Sequence, residues 1–312
     1  MRSIGFVAVA IVLLILTVVI FPPIYPLGDL GLCLPSPNQW PLPRVAGWGL
    51  NNLVIFLVII ILIAATKHYN FLPETADVLP PALLILLACN CITTSTLVTS
   101  TLLLLANTLC LYVIITTYEA RNSSMEFFII GTIPAIGAMF QYSFLLMIPV
   151  YIGGGLLMKS FRIREFLAFI LGLIAPYWIL VGLGIISPFS FRFPDHLTIF
   201  DRQAVDDDIF YTLLAAGIMA CSGVILMLYN LVKLFSRNSR MRATHLMFNL
   251  VGVVAILGMI FDFNNFISYF ATIALWLSVT ISAFLYLYEL KFRNVVLVIL
   301  LAVFLPIYIL TL

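Results

Sequence analysis

The charged residues of this chain leave nine long uninterrupted gaps, at 3–28, 45–66, 78–118, 127–158, 166–191, 209–232, 243–261, 263–288 and 294–312. No other feature constrains the fold as much. An α-helix rises about 1.5 Å per residue, so about 20 apolar residues cross a hydrocarbon layer about 30 Å thick. Seven of the gaps hold one span each. Residues 78–118 would make a helix of about 60 Å, twice that thickness, so this run doubles back, at the polar stretch Thr93-Thr94-Ser95-Thr96. Residues 127–158 make two short spans or one overlong one, and Pro134, Gly137 and the step Gln141-Tyr142-Ser143 favour a turn near 141. Composition excludes a soluble domain: 63% of the residues are hydrophobic and 9% charged, where a water-covered surface needs about a quarter charged. The expectation is one all-α integral membrane domain over 1–312, a polytopic helical bundle of about eleven spans. Nine is the alternative if each long run crosses once.

Basic residues set the expected orientation, because loops on the cytoplasmic side are enriched in Lys and Arg. With Arg2 inside and the spans alternating, 12 of the 15 basic residues fall inside, and only Arg44, Arg192 and Arg202 face out. The N-terminus is therefore expected to be cytoplasmic. Met1-Arg2-Ser3 followed by Ile4–Phe21 has the charged start and apolar core of a signal peptide but no small-x-small cleavage site, and reads as an uncleaved first span. Dispersed charges and a net charge of +2 exclude a nucleic-acid footprint.

Motifs for familiar chemistries are missing. The sequence holds no P-loop, dinucleotide fingerprint, Gly-x-Ser-x-Gly elbow or His-Glu-x-x-His, so no cofactor is identified. Cys89, Cys91, Cys110 and Cys221 lie within spans and read as small packing residues. His68, His196 and His245 stand apart, so no metal site is expected. Every charged side chain falls at a loop or span end, which argues against proton-coupled transport.

The candidate site residues lie in the expected outer segments. The first outer loop, about 23–48, is Pro-rich and carries Asp29, Trp40, Arg44 and Trp48. Trp and Arg there suit a sugar ring or a lipid phosphate, and equally an interfacial aromatic belt. The second outer loop, 188–208, carries Arg192, Asp195, His196, Asp201, Arg202 and Asp206-Asp207-Asp208, part of which a helix N-cap explains. Asp262 opens the third outer turn, where Asp and Asn are ordinary turn residues. Convergence of Asp29, Asp201 and Asp262 would supply a general base, with Trp40, Arg44, Trp48, Arg192 and Arg202 holding a substrate or a lipid phosphate. On the inner face, the basic segment 233–245 reads as a topology determinant or a docking surface for a partner.

Between residues 79 and 180 the chain carries Leu79-Pro80-Pro81, Leu105-Ala106-Asn107-Thr108-Leu109, Tyr118-Glu119-Ala120-Arg121-Asn122, Phe161-Arg162-Ile163-Arg164-Glu165-Phe166 and Leu171-Gly172-Leu173-Ile174-Ala175-Pro176-Tyr177. In this cadence it resembles a family of polytopic inner-membrane proteins of Bacteroidota defined by a domain of unknown function. That resemblance implies a bacterial inner (cytoplasmic) membrane and carries over no catalytic residue. In architecture the chain is also similar to C-type membrane glycosyltransferases, which implies an outward-facing cavity, an Asp in the first outer loop and a lipid-linked sugar as substrate. It departs from them in its short first outer loop and in lacking an Asp-Asp or Glu-Asp pair after span one. Two other readings stand beside this one: a non-enzymatic assembly factor or complex subunit that binds other membrane proteins, and a facilitator-type transporter.

Overall fold

The computed structural model describes residues 3–20, 31–40, 42–69, 72, 77–187, 207–289 and 292–311. They form α-helices joined by short turns, with no strand among them. The helices are α1 (Ser3–Ile20), α2 (Arg44–Tyr69), α3 (Leu79–Ala88), α4 (Cys91–Thr94), α5 (Thr99–Thr116), α6 (Ser124–Phe140), α7 (Ile148–Leu157), α8 (Ile163–Gly182), α9 (Asp207–Leu234), α10 (Ser239–Phe261), α11 (Phe266–Leu287) and α12 (Arg293–Thr311). Seven segments are long and apolar enough to cross a membrane: α2, α5, α8, α10, α12, Phe210–Leu234 of α9 and Phe263–Leu287 around α11. Four shorter apolar helices, Gly5–Ile20, Leu79–Ala88, Ser124–Phe140 and Tyr142–Leu157, stand where the remaining expected spans lie.

Both long charge-free runs break. The first stops at Ala88, and the Asn90 side chain then accepts from the Thr93 amide at 3.0 Å to cap the single turn of α4. The break between α3 and α5 therefore spans 89–98 and contains the polar stretch. The second breaks at Gln141, whose extended backbone ends α6. A 3-10 helix, Tyr142–Met147, then leads into α7.

Helix α11 is the axis of the bundle. It is buried almost throughout, from Phe266 to Leu287, and packs against α3, α5, α9 and α10, as expected of a helix apolar all round. Its largest side chain, Trp276, is received by glycines on two neighbours. A Cβ at Gly223 of α9 would stand 2.5 Å from the Trp276 ring, and one at Gly252 of α10 would clash with the same ring. Helix α8 is the opposite case. Only Glu165, Phe169 and Gly172 are buried, and its apolar surface, Trp178 and Leu171 included, is exposed as on a lipid-facing helix. Gly131 of α6 and Gly172 of α8 face the backbone oxygens of Phe169 and Phe128, respectively, so these helices touch at the main chain.

Contacts sort the loops onto two ends. At one end Tyr118 meets Ser239 at 2.8 Å, Lys159 pairs with Glu119 at 3.2 Å and Arg293 pairs with Asp77 at 3.2 Å. At the other, the Leu32, Cys33 and Leu34 amides bond to the last carbonyls of α6, Thr17 meets Tyr308, and Cys91 meets Thr311. Lys67, Arg121, Lys159, Arg162, Arg164, Lys233, Arg237, Arg240, Arg242 and Arg293 gather at the first end. Among the described basic residues only Arg44 lies at the second. Segregated charge is what alternating spans require.

Two loop boundaries differ from the expectation. Helix α2 starts at Arg44, which places Arg44 and Trp48 on a helix instead of in the first outer loop. The basic segment 233–245 is largely helical, because α9 runs to Leu234 and α10 begins at Ser239.

Candidate functional site

Asp262 closes α10, and its side chain is 1% exposed. A turn aspartate on a membrane protein ordinarily faces water, and this one is drawn inside by neutral donors. Tyr142, from the segment that breaks the second long run, donates its hydroxyl to Asp262 Oδ1. Asn265 Nδ2 donates to the same oxygen at 3.0 Å and to the Tyr142 hydroxyl at 2.6 Å, while the Tyr269 hydroxyl donates to Oδ2 at 2.9 Å. Gln141 Nε2 extends the network to Asn265 Oδ1 at 3.3 Å.

No cation balances this carboxylate among the described ion pairs, which join only Lys159 to Glu119 and Arg293 to Asp77. Burying a carboxylate against neutral donors alone costs several kcal/mol of desolvation, recovered in part by charge-assisted hydrogen bonds. Gln141 Oε1 is buried with no hydrogen-bond partner, which leaves one acceptor vacant beside the network.

The other candidates are distributed as follows. Trp40 packs edge-on against Phe140, centroids 5.6 Å apart, one residue before Gln141, so the loop 31–40 lies over the same end of α6. Its indole donates to the Pro35 carbonyl at 3.2 Å. Trp48 turns toward α1 and donates to the Leu14 carbonyl at 3.0 Å. Arg44 is half-buried at the start of α2. Both indole N–H groups are thus engaged by main-chain carbonyls. Asp29, Asp201, Arg192 and Arg202 lie outside the described residues. The 262 turn is also more interior than the sequence suggested: Phe263 and Phe266 are buried and stack at 5.5 Å, while Phe261 remains exposed.

Among the described residues no group of three His, Cys, Asp or Glu side chains could hold a metal ion. Cys33 lies in the segment 31–40 before α2, half-buried, and burial pushes its thiol up from the usual range.

Sequence reasoning missed Tyr142, Asn265 and Tyr269. Two of these were within reach, since Asn265 and Tyr269 follow Asp262 within seven residues, on the turn and the start of α11. Tyr142, 120 residues away, carried no local signal.

Comparison with protein-family models, with curated proteins and with solved structures gives no match.

Proposed function

We propose that this multi-pass membrane protein acts on a lipid-linked sugar in envelope glycan assembly, at the end of the bundle where Asp262 lies, with Asp262 as its acid-base group. The observation that carries this reading is the burial of one carboxylate, without a cation among the described residues, among donors from three separate segments. An ionisable group buried away from water is expensive, and a working role is one reason to keep it. In such a transfer the acceptor hydroxyl oxygen would bond to the anomeric carbon, the polyprenyl phosphate would leave, and the hydroxyl proton would pass to Asp262. With the carboxylate 1% exposed, substrate reaches it only when the 262–265 turn or the 141–147 segment moves. The bacterial inner membrane as its location, and the outward orientation of this end, belong to the same proposal and draw support from the basic residues gathered at the opposite end.

A second reading is favoured by the same network. Three donors nearly fill the acceptor capacity of a carboxylate, which suits a fixed joint between the 3-10 helix Tyr142–Met147, α10 and α11 in a non-enzymatic complex subunit.

One experiment separates the two. The purified protein in nanodiscs is given a polyprenyl-phosphate-linked sugar and an acceptor glycan, as wild type and as Asp262→Asn, with thermal unfolding measured in parallel. The enzymatic reading expects transfer by the wild type and a loss of about 10²–10⁴-fold in the variant at near-native stability. Transfer undiminished in Asp262→Asn removes it.

A further inference from the structure

At the end of the bundle opposite Asp262, four cations follow one another around the α9–α10 turn: Lys233, Arg237, Arg240 and Arg242. None of them takes part in a described ion pair. Instead, three of them lie over tyrosine rings. Lys233 Nζ is 5.6 Å from the Tyr288 centroid, Arg237 Cζ is 5.1 Å from Tyr286, and Arg240 Cζ is held between Tyr69 and Tyr118 at 5.0 and 5.6 Å. The rings come from the ends of α2 and α11 and from the turn after α5, so three regions of the bundle fix the positions of these charges.

Stacking a guanidinium on a ring orders the side chain and occupies its face. The N–H donors lie in the guanidinium plane and stay available at its edge. A carboxylate partner would have consumed those donors. The result is a preorganised fork of donors, aimed by its surroundings and not neutralised. Beside it, Val232 and Phe235 are 75% and 67% exposed, an apolar surface that sits in lipid. The cations therefore stand where headgroups begin.

We infer that Lys233, Arg237 and Arg240 form a binding site for the phosphate of an anionic phospholipid headgroup, with Val232 and Phe235 against its acyl chains. The site is independent of the reading of Asp262. Each cation near an anionic surface adds roughly fivefold in affinity, so three together contribute on the order of 100-fold.

The test uses the full chain in vesicles of phosphatidylcholine, with phosphatidylglycerol titrated in while thermal unfolding is followed. The wild type is expected to gain stability as phosphatidylglycerol rises, and to lose that gain as salt rises. The triple variant Lys233→Gln, Arg237→Gln, Arg240→Gln should need roughly 100-fold more phosphatidylglycerol for the same gain, while its unfolding in pure phosphatidylcholine stays near that of the wild type. Because Arg240 bridges two rings, Lys233→Gln with Arg237→Gln is run beside it, with an expected shift of about 30-fold. The site is refuted if the double variant keeps the full response, or if inorganic phosphate stabilises the wild type in phosphatidylcholine as well as the lipid does.

Discussion

Asp262 places its three donors in different positions when it is altered. In Asp262→Ala, the Tyr142 and Tyr269 hydroxyls lose the carboxylate that accepts from them, while Asn265 keeps its bond to the Tyr142 hydroxyl, and each buried donor without an acceptor costs about 1–3 kcal/mol. Asp262→Asn keeps the volume and one acceptor oxygen, and the Tyr269 hydroxyl can turn to accept from the new amide. Chemical denaturation in a mild detergent should rank the variants wild type, Asn, Ala, with Ala lower by at least about 2 kcal/mol. An Ala variant as stable as Asn would mean that the carboxylate is not the centre of the network. Cys33 gives a second prediction at this scale. Burial favours its neutral thiol, and only the thiolate reacts with a maleimide. Its labelling at pH 7 should therefore be slower than that of a small free thiol, and the gap should close as pH rises through the elevated range. Equal rates at pH 7 would show the thiol to be open to water.

Between elements, glycines decide which helices can meet. A Cβ at Gly131 would strike the Phe169 main-chain oxygen, and one at Gly172 the Phe128 oxygen. Backbone cannot turn aside as a side chain can, so α6 and α8 must separate. Gly131→Ala and Gly172→Ala should each destabilise by about 1–3 kcal/mol. Gly217 on α9 has open space around its position, and there alanine should be neutral or stabilising by up to about 1 kcal/mol, since glycine weakens a helix interior. Thermal unfolding of the three variants checks the contrast. A loss at Gly217→Ala equal to the other two would show that the main-chain contacts do not govern them.

For the molecule as a whole, the two-ended distribution of charge predicts orientation. In a Cys33→Ser background, reporters at Gln39 and Asn238, both exposed and at opposite ends, should respond differently to a membrane-impermeant thiol reagent applied from the non-cytoplasmic side. Gln39→Cys is expected to label and Asn238→Cys to stay protected until the membrane is opened. The reverse pattern would invert the bundle and move Asp262 to the inner face, and with it the proposed chemistry. The anionic-lipid site would survive that inversion, because it depends on stacked cations and not on which leaflet they face.

The sequence by itself determined the solvent, the helical class, the places where both long runs break and the segregation of the basic residues, because each follows from a one-dimensional rule. A helix has a fixed rise, a bilayer a fixed thickness, and a charge cannot stay in hydrocarbon unaided. It placed Asp262 correctly at a turn, but not inside the protein. Burial depends on what packs over the turn, and that cover includes Tyr142 from 120 residues earlier. The tertiary structure alone decided that α11 is the axis while α8 faces lipid, although both are apolar enough to span. Helix composition reports affinity for a non-aqueous surround and cannot tell lipid from neighbouring helices. It decided too that Lys233, Arg237 and Arg240 rest on tyrosine rings, since those rings come from α2, α11 and the turn after α5. Only the folded bundle brings them under the same three charges.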